Sequence, residues 1–191
     1  MAPELSDPVV LAKQMVKDME KGLAGEESSL PMIPTYISGE GEIPTGEKVV
    51  VIDAGGTNFR CGLASFTGPE WCVESVSGQR MPGIEKPATW EEFISFVADN
   101  IQPRLTEADK ISFCFSYNAD ITPEIDGLVK RIDKEVVITG STGKLVGASL
   151  EAELERRGIP GKRVYILNDT VAALLGAASL IDKSGYSGFA G

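Results

Sequence analysis

The stretch VVVIDAGGTNFRCGLASF, residues 49–66, decides the fold. Four apolar residues run into Asp53, a small polar knot follows (Ala54, Gly55, Gly56, Thr57, Asn58), and Arg60 opens a second run anchored by Leu63 and Phe66. This reads as strand–turn–strand, with the first strand ending on a carboxylate. Glycines let backbone N–H groups approach a ligand closely, and successive N–H groups in a tight turn form an anion-binding concavity. Thr57 and Asn58 add side-chain donors, and Asp53 beside them can hold Mg²⁺ through water. A plain hairpin whose Gly-Gly-Thr-Asn supplies turn geometry alone is the competing reading, and spacing does not separate the two.

Outward from this stretch the chain alternates. DPVVLAKQMVKDMEKGLAG (7–25) reads as an amphipathic helix with Asp7 as N-cap and Pro8 at its first position. SSLPMIPTYI (28–37) is an extended connector, because its prolines forbid a helix interior. WCVESVSGQRM (71–81) is a third strand, with Cys72, Glu74 and Val76 alternating against Val73 and Ser75. Thr89 can cap a helix over residues 90–105 whose apolar face is Trp90, Phe93, Ile94, Val97 and Ile101. ISFCFSYNAD (111–120) is a strand leading to a polar loop, and residues 127–143 are short strands and turns, with Lys130 and Arg131 in a solvated turn. A helix over 143–157, the strand KRVYILND (162–169) and a final helix from Thr170 complete the order. Three strands followed by alternating helices and strands imply an α/β, ribonuclease-H-like mixed sheet covered by helices, one half of an actin-like ATPase fold.

In that order, the strand ending at Asn168–Asp169 reaches the same sheet edge as the strand ending at Asp53. Asp169 alone reads as a helix cap. Facing Asp53 across one cleft, it can instead take a proton from a hydroxyl while the other acid organises metal and phosphate.

Composition narrows the classes. The 191 residues are 42% hydrophobic, carry a net charge of −10 and contain no histidine. This excludes His-based metal sites and His-dependent triads within the chain. The acidity argues against a general nucleic-acid surface. No run is long and apolar enough to span a bilayer, and residues 1–10 lack signal-peptide features, so the expectation is a cytoplasmic protein without a membrane partner. Cys61, Cys72 and Cys114, odd in number and scattered, read as reduced core thiols. Trp71 and Trp90 read as core or domain-contact residues.

The motifs together resemble the N-terminal half of a eukaryotic-type hexokinase. SSLPMIPTYI is similar to that family's connector, residues 53–60 to its phosphate signature D-x-G-G-T-N-x-R, FCFSYNAD (113–120) to its sugar-pocket strand, and LNDTVAALLGA (167–177) to the N-D-T segment holding the catalytic base. The resemblance implies ATP-dependent phosphorylation of a hexose, glucose foremost, at its 6-hydroxyl, with ATP and Mg²⁺ as cofactors. It assigns Asp53 to metal and phosphate; Gly55, Gly56, Thr57, Asn58 and Arg60 to ATP phosphates; Asp169 to the base; and Asn168, Ser116, Tyr117 and Lys134 to the sugar. Two positions depart from the family: Asn118 stands where it has proline, and Asp133 where its W-T-K-G-F loop has threonine, so Asp133 becomes a sugar-loop acid beside Lys134. The family's second half, with its own phosphate loop and the adenosine pocket, has no counterpart here. The expected organisation is a helix and connector over 1–48 and the small domain over 49–191, with the C-terminal large domain absent and little turnover by the chain alone. A non-catalytic sugar-binding or regulatory module, a ribonuclease-H-like metal-dependent nuclease and a bacterial-type glucokinase remain open alternatives at this point.

Overall fold

A computed structural model describes residues 7–30, 32–37, 42–132 and 135–178. The chain divides into two compact units, Met1–Pro34 and Thr35–Gly191. The first holds α1 (Pro8–Leu23), whose cap is Asp7, accepting the Val9 N–H at 2.9 Å. None of its residues is buried.

In the second unit, chain order runs β1 (Lys48–Ala54), β2 (Asn58–Phe66), β3 (Trp71–Arg80), β4 (Ala88–Thr89), α2 (Trp90–Ile101), β5 (Lys110–Phe115), β6 (Asn118–Ile121), β7 (Gly127–Arg131), β8 (Ile138–Thr139), α3 (Val146–Arg156), β9 (Arg163–Leu167) and α4 (Asp169–Ala178). Five strands form the main sheet in the order β3-β2-β1-β5-β9. β1, β5 and β9 are parallel, and β2 is antiparallel to both of its neighbours. This is the ribonuclease-H-like mixed sheet that the element order implies. Alternate residues of the strands (Val50, Ile52, Ala54, Ile111, Phe113, Phe115, Val164, Ile166) are buried with the apolar faces of α2 and α3 in one core. The whole expected face of α2 lies in that core, and Thr89 and Glu92 close a capping box at its start.

Several local expectations change. The pleat alternation in β3 does not sort its residues into two faces. A bulge shifts the pairing between Cys61 and Leu63, Ser75 takes φ +52°, and most of this edge strand is exposed. Arg104 holds the bulge, donating to the Ser75 carbonyl and to Ser77 Oγ while also bonding the Asn100 carbonyl. Cys72 is consequently exposed and not a core thiol, Cys114 is only partly buried, and Cys61 is buried as expected. Trp90 is a core residue, whereas Trp71 is half exposed on the edge strand. Pro103 ends the second helix early, in a 3₁₀ turn over Gln102–Arg104. Lys130 and Arg131 lie in β7, not in a turn, because β6 and β7 pair as a hairpin in which Lys130 meets Asp120 at 2.6 Å.

That hairpin organises the start of the next helix. α3 begins at Val146, three residues later than expected, since Gly143 takes φ +78° and Leu145 still bridges Leu128. Its own N-cap position, Leu145, offers no side-chain acceptor. Asp126, at the hairpin tip, supplies one: its carboxylate accepts the N–H of Gly147 at 2.6 Å, of Ala148 at 2.9 Å and of Gly127 at 2.6 Å. A Cβ on Gly147 would sit 2.8 Å from Asp126 Oδ1, so glycine is what admits the carboxylate. The neighbouring Ile125 carbonyl accepts the Ile166 N–H at 2.8 Å, which fastens the tip to β9 and holds Ile125 at φ +61°.

At its far end, α3 is clamped to α2. Arg157 bonds Glu153 at 2.6 Å, Asp99 at 2.5 Å and Ser95 Oγ at 2.8 Å. The guanidinium groups of Arg156 and Arg157 hold the Glu153 carboxyl down at about 2.

Asp126→Ala leaves three backbone donors without their acceptor and should lower stability by about 2 kcal/mol in denaturant unfolding. Gly147→Ala should also destabilise, and the double variant should lose less than the sum, because both act on one contact. A second expectation concerns acid. Glu153 has a folded pKa below its ordinary 4.5, so its contribution is present above that value and is lost as pH falls from 4.5 toward 2. Its ceiling is about 3 kcal/mol, reduced by water around the exposed Arg156. Glu153→Gln should flatten that segment of the stability–pH curve.

Candidate active site

Parallel pairing places three strand ends side by side. Asp53 lies opposite Cys114, and Cys114 opposite Leu167. One step beyond this row come the turn 55–58 from β1, Ser116 and Tyr117 from β5, and Asn168 and Asp169 from β9. The three segments singled out in the sequence therefore converge on one edge of the sheet. β1 and β9 are two strand spacings apart, about 10 Å.

The turn has defined internal bonds. Gly55 N–H donates to the Asn58 carbonyl at 3.0 Å, Asn58 Nδ2 to Thr57 Oγ1 at 3.1 Å, and Met81 N–H to the Thr57 carbonyl at 3.0 Å. Gly55 does not adopt positive φ, and a Cβ there would make only ordinary contact, 3.6 Å from the Asn58 carbonyl. The turn's own geometry therefore does not demand glycine at 55. What the missing side chain provides is clear space over the backbone.

Asp53 faces Arg60 across the β1–β2 ladder, with Nη1 to Oδ2 at 3.6 Å. Both side chains are about half exposed, at 48% and 62%, so the pair is loose and open to a ligand. One accessible carboxylate beside a phosphate-sized turn suits Mg²⁺, which takes one or two carboxylates and fills its remaining positions with phosphate oxygens and water. Asp53 and Asp169 stand at the ends of strands about 10 Å apart. Among the described residues no three acid or thiol groups cluster as a metal site.

Ser116 and Tyr117 are buried, and the Ser116 N–H donates to the Ala54 carbonyl at 3.3 Å. The Tyr117 hydroxyl runs to the turn itself, donating to the Gly55 carbonyl at 2.6 Å. At β9, Asn168 is the cap of α4: its Oδ1 accepts the Thr170 N–H at 3.0 Å and the Thr170 hydroxyl at 2.6 Å. Those donors fix Oδ1 toward the helix and leave Nδ2 as the outward donor. Asp169 is the first helical residue; it is exposed, and its Oδ1 also accepts the Thr170 N–H at 2.9 Å. The capping that the sequence allowed to Asp169 belongs chiefly to Asn168. Asp133 and Lys134 lie outside the described residues.

Arg80 joins this edge without any signal in the sequence. Continued from Phe66↔Trp71, an unbroken ladder would set Gln79 opposite Asn58; the bulge sets Arg80 there instead. Arg60 and Arg80 thus share a face and, with Asn58 and Gly78, line one groove beside the turn.

Comparison with known proteins supplies a family. A hexokinase family model matches residues 6–179. The chain is 29% identical over 177 residues to hexokinase-1 of Saccharomyces cerevisiae, covering 86% of this chain and 36% of that protein. It is 31% identical over 189 residues to the chloroplastic hexokinase-4 of Oryza sativa subsp. japonica, covering 87% and 36%. The fold is shared with a hexokinase from Schistosoma mansoni solved in complex with glucose, at TM-score 0.68 and 24% identity over 87% of this chain and 39% of that one. The chain thus spans about a third of the length of these relatives. With the model match extending over nearly all of its residues, this chain belongs to the hexokinase family.

Proposed function

We propose that this chain is the small domain of a kinase that transfers the terminal phosphoryl group of ATP to the 6-hydroxyl of a hexose, glucose being the first candidate. The observation that carries the reading is the convergence of the glycine turn, the Ser116–Tyr117 strand end and Asp169 on one sheet edge, in a chain of this family. The matched part of this chain covers only 36% of the Saccharomyces cerevisiae relative, so the remainder of the cleft would come from a second domain.

In this reading the sugar lies between the ends of β5 and β9. Asn168 Nδ2 donates to a ring hydroxyl, its carbonyl oxygen being committed to α4. Asp169 accepts the 6-hydroxyl proton as that oxygen bonds to the terminal phosphorus and the bond to the β–γ bridging oxygen breaks, releasing ADP. The turn over 55–58 and the cations of Arg60 and Arg80 receive the phosphates. Mg²⁺ held through Asp53 and its waters would neutralise charge on the phosphate oxygens. Most of the rate enhancement then comes from positioning and charge, with the base supplying a part. Lys134 and Asp133 would act on the sugar as well.

The deciding experiment replaces Asp169 with Asn in the complete enzyme. The rate of phosphorylation should fall about 10²–10⁴-fold while glucose affinity changes only a few-fold. A rate within tenfold of the parent would overturn the base assignment, and equal loss of affinity would favour a binding module. Asp53→Asn should raise the Mg²⁺ concentration for half-maximal rate by about 10–100-fold, as loss of an outer-shell partner does. The purified 191-residue chain should turn over little ATP and glucose, since half a cleft does not exclude water.

A further inference from the structure

The geometry points to Tyr117 as a positioning residue that aims a backbone donor of the phosphate turn. This inference rests on the phosphate-binding role proposed for residues 55–58. The Tyr117 ring is 4% exposed and packs tilted against Phe115, with centroids 5.1 Å apart, so the core sets where its hydroxyl lies. That hydroxyl donates to the Gly55 carbonyl at 2.6 Å.

Peptide geometry carries this inward bond to the opposite side of the turn. No cis peptide occurs among the described residues. In a trans peptide the carbonyl and the next N–H point in opposite directions from one plane. A Gly55 carbonyl drawn inward to a buried hydroxyl therefore turns the Gly56 N–H outward, over the sheet edge. No described residue accepts a hydrogen bond from that N–H.

Two consecutive glycines otherwise leave this peptide free to rotate, because no Cβ on either side resists it. The Gly55 N–H to Asn58 bond closes the turn but does not constrain the Gly55–Gly56 peptide plane. Tyr117 removes that freedom before a ligand arrives, so the outward donor is already organised for an anion. Because Tyr117 follows Ser116 directly, the same strand end that reaches toward the sugar also sets the turn that faces the phosphates. Phenylalanine at 117 would keep the packing and lose the aim.

The test uses the complete enzyme, isotopically labelled at glycine and tyrosine, with MgATP as the probe. In the wild-type chain MgATP should shift the Gly56 amide resonance, and the Tyr117 hydroxyl proton should exchange slowly with water. Tyr117→Phe should weaken MgATP about five- to tenfold, the worth of one well-placed hydrogen bond. The thermal midpoint should stay within about 3 °C, because the ring and its contact with Phe115 are retained. Unchanged MgATP affinity in the variant, or a lost thermal midpoint with affinity retained, would overturn the inference and leave the phosphate reading standing. A Gly56 amide indifferent to saturating MgATP in the wild type would overturn both. A rapidly exchanging Tyr117 hydroxyl would overturn the inference even if the variant failed to fold.

Discussion

The parallel pairing of β1, β5 and β9 is the constraint on which everything else in this domain depends. Parallel neighbours require crossover connections, and right-handed crossovers place the intervening helices against the sheet. The buried residues of these strands form the core with α2 and α3, and the same pairing sets three carboxyl-terminal strand ends in one row. Core and site are therefore two results of one register. A slip of one residue would turn Val50, Ile52 and Ala54 out of the core and take Asp53 from the open face. The hydrophobic free energy of the core thereby protects the geometry of the site.

Around that register, single polar side chains do the fastening. Asp126 joins a hairpin tip to the start of α3, and the Ile125 carbonyl joins the same tip to β9. Arg157 ties the end of α3 to α2, and Lys162 bonds the carbonyls of Leu105 and Ala108. Asp126, Arg157 and Lys162 are charged groups bonded in partly buried settings, where such bonds are stronger than at the surface. At the site edge itself, Tyr117 fastens the glycine turn on its inner side.

Much of this was legible in residue order. The strand–turn–strand of 49–66, the capped α2 with its apolar face and the strand before Asn168–Asp169 follow from periodicity and capping chemistry, which are local. The partners of local groups were not legible. Tyr117 read as a pocket residue because FCFSYNAD resembles the family's sugar-pocket strand, yet its hydroxyl lies on Gly55, 62 positions earlier. Asn168 and Asp169 exchanged parts at the cap, since which of two adjacent oxygens meets the Thr170 N–H depends on where the helix begins. Arg80 reached the site edge through one extra residue in an edge strand, a bulge that hydrophobic pattern does not mark when the strand is exposed on nearly every residue.

The sequence by itself determined the element order, the acids at the ends of β1 and β9, the glycines of the turn and the family they resemble, because these are properties of neighbours along the chain. Only the tertiary structure decided that Asp126 would cap a helix 20 residues away, that Arg80 would face Asn58, and that the Gly55 carbonyl would turn inward to Tyr117. The physical reason is the reach of the interactions. Propensity, capping and turn chemistry act over a few bonds and are written in adjacent residues. A hydrogen bond between distant segments exists only after the core has brought them together, and any of several donors could have filled it until packing chose one.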